Sequence, residues 1–155
     1  MKHLLTKCIC AVLFTLITAT GFTQIQNAHK VKPALFAKLP GTIKCTAAEL
    51  NKFFAVAQGQ SANVAFDNTL KTNGVITSNL AKFKNLQSLA IKLPEYNNAI
   101  FALSKINDEN NNIIYSGRII NQMNSDAYEL KKISADQYQL VKINLDDILQ
   151  DCGHL

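Results

Sequence analysis

The sequence has few of the residues on which most catalytic sites depend. Its three histidines are His3, His29 and His154, and we expect the last two to lie in segments too loosely held to position a base. Nucleophilic catalysis requires a base close to the nucleophile. The Gly-X-Ser-X-Gly, His-Glu-X-X-His and Cys-X-X-Cys motifs are absent, as are glycine-rich phosphate-binding loops. We therefore expect a protein that is not an enzyme and that holds neither a cofactor nor a metal ion.

The chain also lacks a large excess of positive or negative charge. From residue 24 onward the chain has 14 Lys and Arg residues against 11 Asp and Glu, which is a net charge of +3. These cations are scattered, whereas nucleic-acid binding calls for a clustered basic face. No Asn-X-Ser/Thr acceptor for N-glycosylation occurs, although asparagine is abundant. The composition argues against a nucleic-acid partner and fits a bacterial protein better than a glycosylated eukaryotic one.

Long apolar runs are missing except for one at the start of the chain. Two lysines precede an apolar stretch over residues 9–19, and small residues follow it. A basic lead, an apolar core of ~7–15 residues and a small-residue exit are typical of a secretory signal peptide. We assign residues 1–23 to this signal, with cleavage after Gly21 or Thr23. We expect a secreted or periplasmic protein with no membrane span once the signal is removed, because spanning needs ~20 apolar residues.

Removal of the signal leaves two cysteines, Cys45 and Cys152. Exported proteins meet oxidising conditions in which thiols pair and stay paired. One pair of cysteines allows one connectivity, so the sequence predicts a disulfide bond between Cys45 and Cys152. Two buried free thiols are the alternative.

The remainder has the length of one domain. We expect residues 24–44 to form a leader or tether and residues 45–155 to form a single domain. The Thr46-Ala-Ala-Glu49 pattern is a capping box, in which the Thr hydroxyl and the Glu carboxylate bind the first free amides of a helix. Apolar residues follow at helical spacing, which predicts a helix over residues 47–58.

The rest of the chain has the alternation and turn signals of β-strands. Asn73-Gly74 is the strongest two-residue hairpin signal, because a type I′ turn needs a positive φ at both positions. Polar turns are also expected at residues 108–112 and 134–136, and a short helix after Asn144. The predicted strands cover residues 67–72, 75–80, 86–93, 99–106, 113–120, 127–133 and 137–143.

These elements predict an α+β fold, because strands and helices are separated along the chain. The N-terminal helix packs on a curved antiparallel β-meander of six or seven strands, and a short helical turn ends the chain. A small closed barrel is the alternative that the pattern leaves open.

Candidate recognition residues are few. Tyr96, Asn97 and Asn98 follow Pro94 in a predicted turn, and turns carry recognition more often than strands do. The 108–112 segment is rich in oxygen-bearing side chains but lacks the spacing of a calcium loop, so we interpret it as a polar hairpin tip. Lysines around Phe83 are interpreted as a solvated strand face.

The functional expectation follows from export, small size and the lack of a catalytic constellation. We expect a non-enzymatic domain that binds another protein or a component of the cell envelope, in the manner of an inhibitor or a propeptide. The alternative is a small-ligand carrier or small enzyme with a cavity between the helix and the sheet. An apolar pocket would favour the carrier, whereas an open sheet edge would favour a protein partner.

Overall fold

The computed structural model describes residues 32–145 and Asp147, and these form one antiparallel sheet with a short helix. The predicted signal peptide, Cys152 and the predicted C-terminal helix, apart from the helical residues Leu145 and Asp147, lie outside the described residues. The helix is α1 (Ala47–Phe54). The eight strands are β1 (Thr42–Thr46), β2 (Ser61–Phe66), β3 (Leu70–Phe83), β4 (Leu86–Leu93), β5 (Ala99–Asn107), β6 (Ile113–Ile120), β7 (Asp126–Lys132) and β8 (Gln137–Asn144).

The strands follow one another in the sheet in the order β1-β8-β7-β6-β5-β4-β3-β2. Strands β2 to β8 are therefore a continuous meander, and β1 returns to pair with β8, with Cys45 opposite Tyr138. The sheet curls until its two edge strands approach each other. Strands β1 and β2 do not pair, so the result is a barrel that stays open along one seam.

The predicted fold class is wrong in its balance of elements. Instead of a helix packed on six or seven strands, the described residues form an eight-stranded sheet that is nearly a barrel, with one short helix. The prediction missed β2, because it divided β3 into two strands joined at Asn73-Gly74. It also missed β1, which has only five residues and lies across the expected boundary between leader and domain. Its alternation of buried Ile43 and Cys45 with exposed neighbours is too brief to stand out in sequence.

The capping box is confirmed. The Thr46 hydroxyl accepts a hydrogen bond from the Glu49 amide at 3.2 Å, and the Glu49 carboxylate accepts from the Thr46 amide at 2.7 Å. The helix is shorter than predicted and ends at Phe54. Asn79 of β3 explains this end, because its side-chain amide donates to the carbonyl oxygens of Phe54 and Val56.

The hairpin predicted at Asn73-Gly74 is wrong, because both residues lie inside β3. The turn falls six residues earlier, and Asp67 there adopts a positive φ of 53°. Gly74 is needed for a different reason. A Cβ at this position would lie 2.4 Å from Cγ2 of Ile91 on β4, so the glycine permits a close approach of two strands.

The hairpins of the second half of the chain are confirmed. Strand β4 begins and ends at the predicted residues and stops at Pro94. Strands β5 and β6 pair across the 108–112 turn, and β7 and β8 pair across the 134–136 turn.

The barrel has two ends that are covered by different segments. We call the end with the β3–β4, β5–β6 and β7–β8 turns the helix end, because α1 crosses it. The Ala47 amide donates to the Asp136 carbonyl in the β7–β8 turn, and Asn51 bonds to Lys105 of β5 and Tyr115 of β6. We call the opposite end the plug end, because Phe36 fills it.

Candidate interaction surfaces

The space between the helix and the sheet is filled by side chains. Leu50 and Phe53 point from α1 into the barrel and are 0% and 5% exposed. The Phe53 ring meets Phe66 and Phe101 edge-on, with ring centroids 5.9 Å and 6.2 Å apart. Aromatic side chains in this arrangement are packed as in a protein core. The interior that a carrier would use for a ligand is therefore occupied here by the protein itself.

The structure places the predicted recognition residues in a turn at the plug end. Tyr96 is half-buried and packs on Phe36, with ring centroids 5.5 Å apart. Burial and the neighbouring Glu95 carboxylate raise the pKa of Tyr96. Asn97 and Asn98 are exposed and have positive φ values of 50° and 60°. The turn thus presents two asparagines to solvent, while the tyrosine ring is partly used in packing.

The 108–112 turn is organised by one carboxylate. Asp108 accepts hydrogen bonds from the backbone amides of Asn110 and Asn112 and from the Asn112 side chain. These bonds lower the pKa of Asp108. The carboxylate is engaged in closing its own turn, as expected for a polar hairpin tip.

The most exposed aromatic side chain of the described residues is at the β3–β4 tip. Phe83 is 71% exposed and stands between Lys82 and Lys84. Ile113 and Ile133 are also exposed, at the other two turns of the helix end. The prediction treated Phe83 as part of a solvated strand, and its sequence offers no signal that separates a buried from an exposed phenylalanine.

The free edge of β2 is the feature that the sequence interpretation missed. Near the start of the strand, Ile76 donates to the Gln60 carbonyl at 2.9 Å and accepts from the Gly59 amide at 2.8 Å. Gly59 has a φ of 85°, which is the geometry of a bulge with glycine at its first position. This pair fixes which residues of β2 are bonded to β3, because bonded positions alternate in an antiparallel ladder.

Three residues of β2 direct their backbone groups away from β3. Ala62, Val64 and Phe66 occupy the bonded positions opposite Gly74, Thr72 and Leu70. The intervening residues therefore point their N–H and C=O groups at the open seam. The intervening residues are Ser61, Asn63 and Ala65, and their side chains are exposed on the outer face of the sheet. We call them the edge residues.

A groove runs between this edge and the helix. We call it the seam groove; its volume is about 500 Å³. The wall from α1 and the segment after it presents two apolar side chains and two charged ones. The lining is Glu49, Lys52, Phe53, Val56, Ser61, Ala62, Asn63 and Ala65.

Cys45 lies on the inner face of β1 and is 2% exposed. Burial, and to a smaller extent the Glu49 carboxylate, raise the pKa of its thiol to about 12. A thiol that stays protonated at neutral pH is a poor nucleophile and a poor metal ligand. Within the described residues Cys45 has no cysteine partner, and Cys152 lies outside them.

Two further functional features are absent from the described residues. No three His, Cys, Asp or Glu side chains between residues 32 and 145 come together in a way that could hold a metal ion. No helix in that part of the chain combines the length and the apolar character needed to cross a bilayer.

Comparisons with known proteins identified no relative. No family model matches the sequence, and no curated protein or solved structure matches the chain.

Proposed function

We propose that this chain is an exported, non-enzymatic domain that binds another protein, with an inhibitor- or propeptide-like action as one form of that role. The observation that carries the proposal is the unpaired edge of β2 beside the seam groove. Backbone donors and acceptors at an open edge form hydrogen bonds with an added strand. A protein partner supplies such a strand, whereas a small ligand does not.

The filled interior supports the same choice. Leu50 and Phe53 occupy the space that a ligand would need between helix and sheet. Ligand sites are usually concave cavities lined by apolar groups with a few converging polar ones. A carrier would have to displace packed aromatic rings, and loss of such packing is costly.

The test is capture of partners by the exported form of the chain. The protein is immobilised and exposed to secreted and envelope fractions, and bound proteins are quantified by mass spectrometry. We expect one protein to bind saturably, and the purified pair should form a complex of defined stoichiometry in calorimetry. The matched control is the chain unfolded by denaturant and immobilised in the same way.

Two results would contradict the proposal. One is capture that is equal for the folded and unfolded chain, which would indicate adhesion rather than recognition. The other is a small molecule that co-purifies with the native protein in native mass spectrometry and stabilises it, which would favour the carrier.

We also propose that export exposes the protein to oxidation of Cys45 and Cys152. Intact mass with alkylation, before and after reduction, measures whether the two thiols are joined. Two thiols that alkylate in the unfolded protein without reductant would exclude the bond. N-terminal sequencing of the exported protein determines whether the signal ends at Gly21 or Thr23.

A further inference from the structure

We infer that the seam groove is a strand-addition site that takes one extended segment of a partner protein, in which an apolar side chain lies next to an acidic one. The inference rests on the proposed function and deepens it by naming the site and the chemistry of the segment. Four observations carry it: the backbone of the β2 edge, the composition of β2, the groove wall, and the absence of acid on β2.

The backbone of β2 offers a regular set of hydrogen-bonding groups. Ser61, Asn63 and Ala65 each direct one N–H and one C=O at the seam, which is the spacing that an added strand matches. No hydrogen bond to these six groups is made by the described residues. An extended segment lying along β2 at ~4.8 Å would hydrogen-bond to those of the six groups that β1 does not approach.

The composition of β2 leaves this edge unprotected. Natural proteins usually block an open edge with lysine, proline or a bulge in the strand. Residues 61–66 carry no charge and no proline, and the bulge at Gly59 lies before the strand rather than in it. The other edge strand differs, because β1 has Lys44 at its centre. The protein thus protects one side of the seam and leaves the other open.

The groove wall indicates which side chains the segment carries. Val56 is half-buried and, together with the edge of the largely buried Phe53, offers a small apolar surface on the helix side of β2. Glu49 adds an acidic side chain to the same wall, but its carboxylate accepts from the Thr46 amide and the Thr46 hydroxyl and forms no ion pair with Lys52. Lys52 is exposed on the same wall and has no ion pair among the described residues. The wall therefore favours an apolar side chain with an acidic neighbour.

The same charges argue against a second copy of this chain as the occupant. Two β2 edges paired with each other would each have to supply the acidic side chain that Lys52 lacks. Strand β2 contains none. Pairing would also bring two copies of α1, each with its own Lys52, to the same junction. A segment of a different protein avoids this like-charge repulsion.

The experiment selects random linear decapeptides displayed on phage against the folded, exported form of the chain. We expect the selected peptides to share an acidic residue beside an apolar one. A synthetic peptide made from the selected sequence should protect the amides of Ser61, Asn63 and Ala65 from hydrogen exchange.

Asn63→Pro is the decisive variant. Proline removes the N–H that Asn63 directs at the seam and is tolerated at an edge because the bonds to β3 are made by its neighbours. We expect affinity for the selected peptide to fall at least tenfold in Asn63→Pro and to stay within twofold in Asn63→Ala. Thermal unfolding of both variants checks that each is folded.

A second variant covers the case in which Asn63→Pro fails to fold. Lys52→Glu reverses the charge of an exposed helix residue, and we expect it to weaken the peptide about tenfold, while Lys52→Arg leaves the affinity unchanged. Selection of no peptide, or a selected peptide that binds all variants equally, would overturn the assignment. If native partners are captured in either of these cases, the proposed function stands and only its site is wrong.

Discussion

The helix end of the barrel is closed by apolar side chains, whereas the plug end is closed by one phenylalanine that polar groups hold in place. At the helix end, Leu50 and Phe53 enter the barrel from a helix that begins with its own capping box. At the plug end, Phe36 packs on Tyr128 with ring centroids 5.2 Å apart, and it belongs to a segment without helix or strand.

Four side chains hold the segment that carries Phe36. Asp126 accepts hydrogen bonds from the Leu35 and Phe36 amides at 2.5 Å and 2.9 Å. Lys142 donates to the carbonyl oxygens of Phe36 and Leu39. Tyr128 donates to the Pro40 carbonyl, and Asn124 donates to that of Pro33.

The two ends differ in how far apart along the chain their hydrogen-bonded residues lie. The capping box joins residues three apart, whereas the bonds of the plug end join residues 88 to 106 apart. Local signals can be identified in a sequence, but pairings across most of a domain cannot. The comparison also predicts different responses to mutation, because buried apolar area and buried charge contribute to stability in different ways.

The largest effect is expected from Phe53→Ala at the helix end. The substitution removes a ring that packs on Phe66 and Phe101, and truncation of a core phenylalanine costs ~3–5 kcal/mol. Urea unfolding should show a loss of about 4 kcal/mol in the free energy of unfolding. Phe83→Ala is the matched control, because Phe83 is largely exposed and its loss should change stability little. Equal effects of the two variants would contradict the assigned core.

The next effect is expected from Asp126→Asn at the plug end. The change removes the charge that two backbone amides share, and hydrogen bonds to charged groups contribute ~1.5–3 kcal/mol each. We expect a loss of about 3 kcal/mol, with the amides of Leu35 and Phe36 losing exchange protection before those of α1. Glu109→Gln is the control, since Glu109 is exposed in a turn. Loss of protection at both ends together would show that the ends do not open independently.

A smaller effect is expected from Thr46→Ala at the helix end. The variant loses the hydroxyl that caps α1, and removal of an N-cap costs ~1 kcal/mol. The helix should stay in place, because Leu50 and Phe53 still anchor it. Thermal unfolding of Thr46→Ala against Thr69→Ala, an exposed turn residue, measures the difference. A loss as large as that of Phe53→Ala would mean that the cap, rather than packing, holds this end.

The smallest effect is expected from Tyr128 at the plug end, because its ionisation changes the free energy of unfolding only at high pH. Burial, Asp126 and Tyr96 raise the pKa of Tyr128 to about 12, whereas an unfolded tyrosine has a pKa of ~10. The folded state then holds the proton more tightly, so this contribution is fully present below pH ~10 and is lost as the pH rises towards 12. Unfolding free energies between pH 8 and 12 should fall less steeply in Tyr128→Phe. Identical slopes in the two proteins would contradict the assignment.

Several turns and the start of the helix could be predicted from the sequence. Pro94, the polar run at 108–112 and the capping residue Thr46 each act on their immediate neighbours, and the structure has an element boundary at each. The hairpin predicted at Asn73-Gly74 was wrong because an Asn-Gly pair is compatible both with a tight turn and with a close contact between strands. Contact with Ile91 decides between these uses, and no local pattern contains it.

The candidate site could not be predicted from the sequence, for a related reason. The alternation of Ser61–Phe66 is typical of any strand with one buried face. Whether such a strand lies in the middle of a sheet or at its edge depends on which strands close the barrel. Here β1 pairs with β8 rather than with β2, and that choice leaves the seam open.

By itself the sequence determined where the later strands turn and where the helix begins, because these depend on neighbours a few positions away. Only the tertiary structure decided the strand order, the polar contacts that seat Phe36 and the unpaired edge beside Lys52. These depend on residues that are distant in the chain and adjacent in space, and their bonds exist only once the sheet has curled.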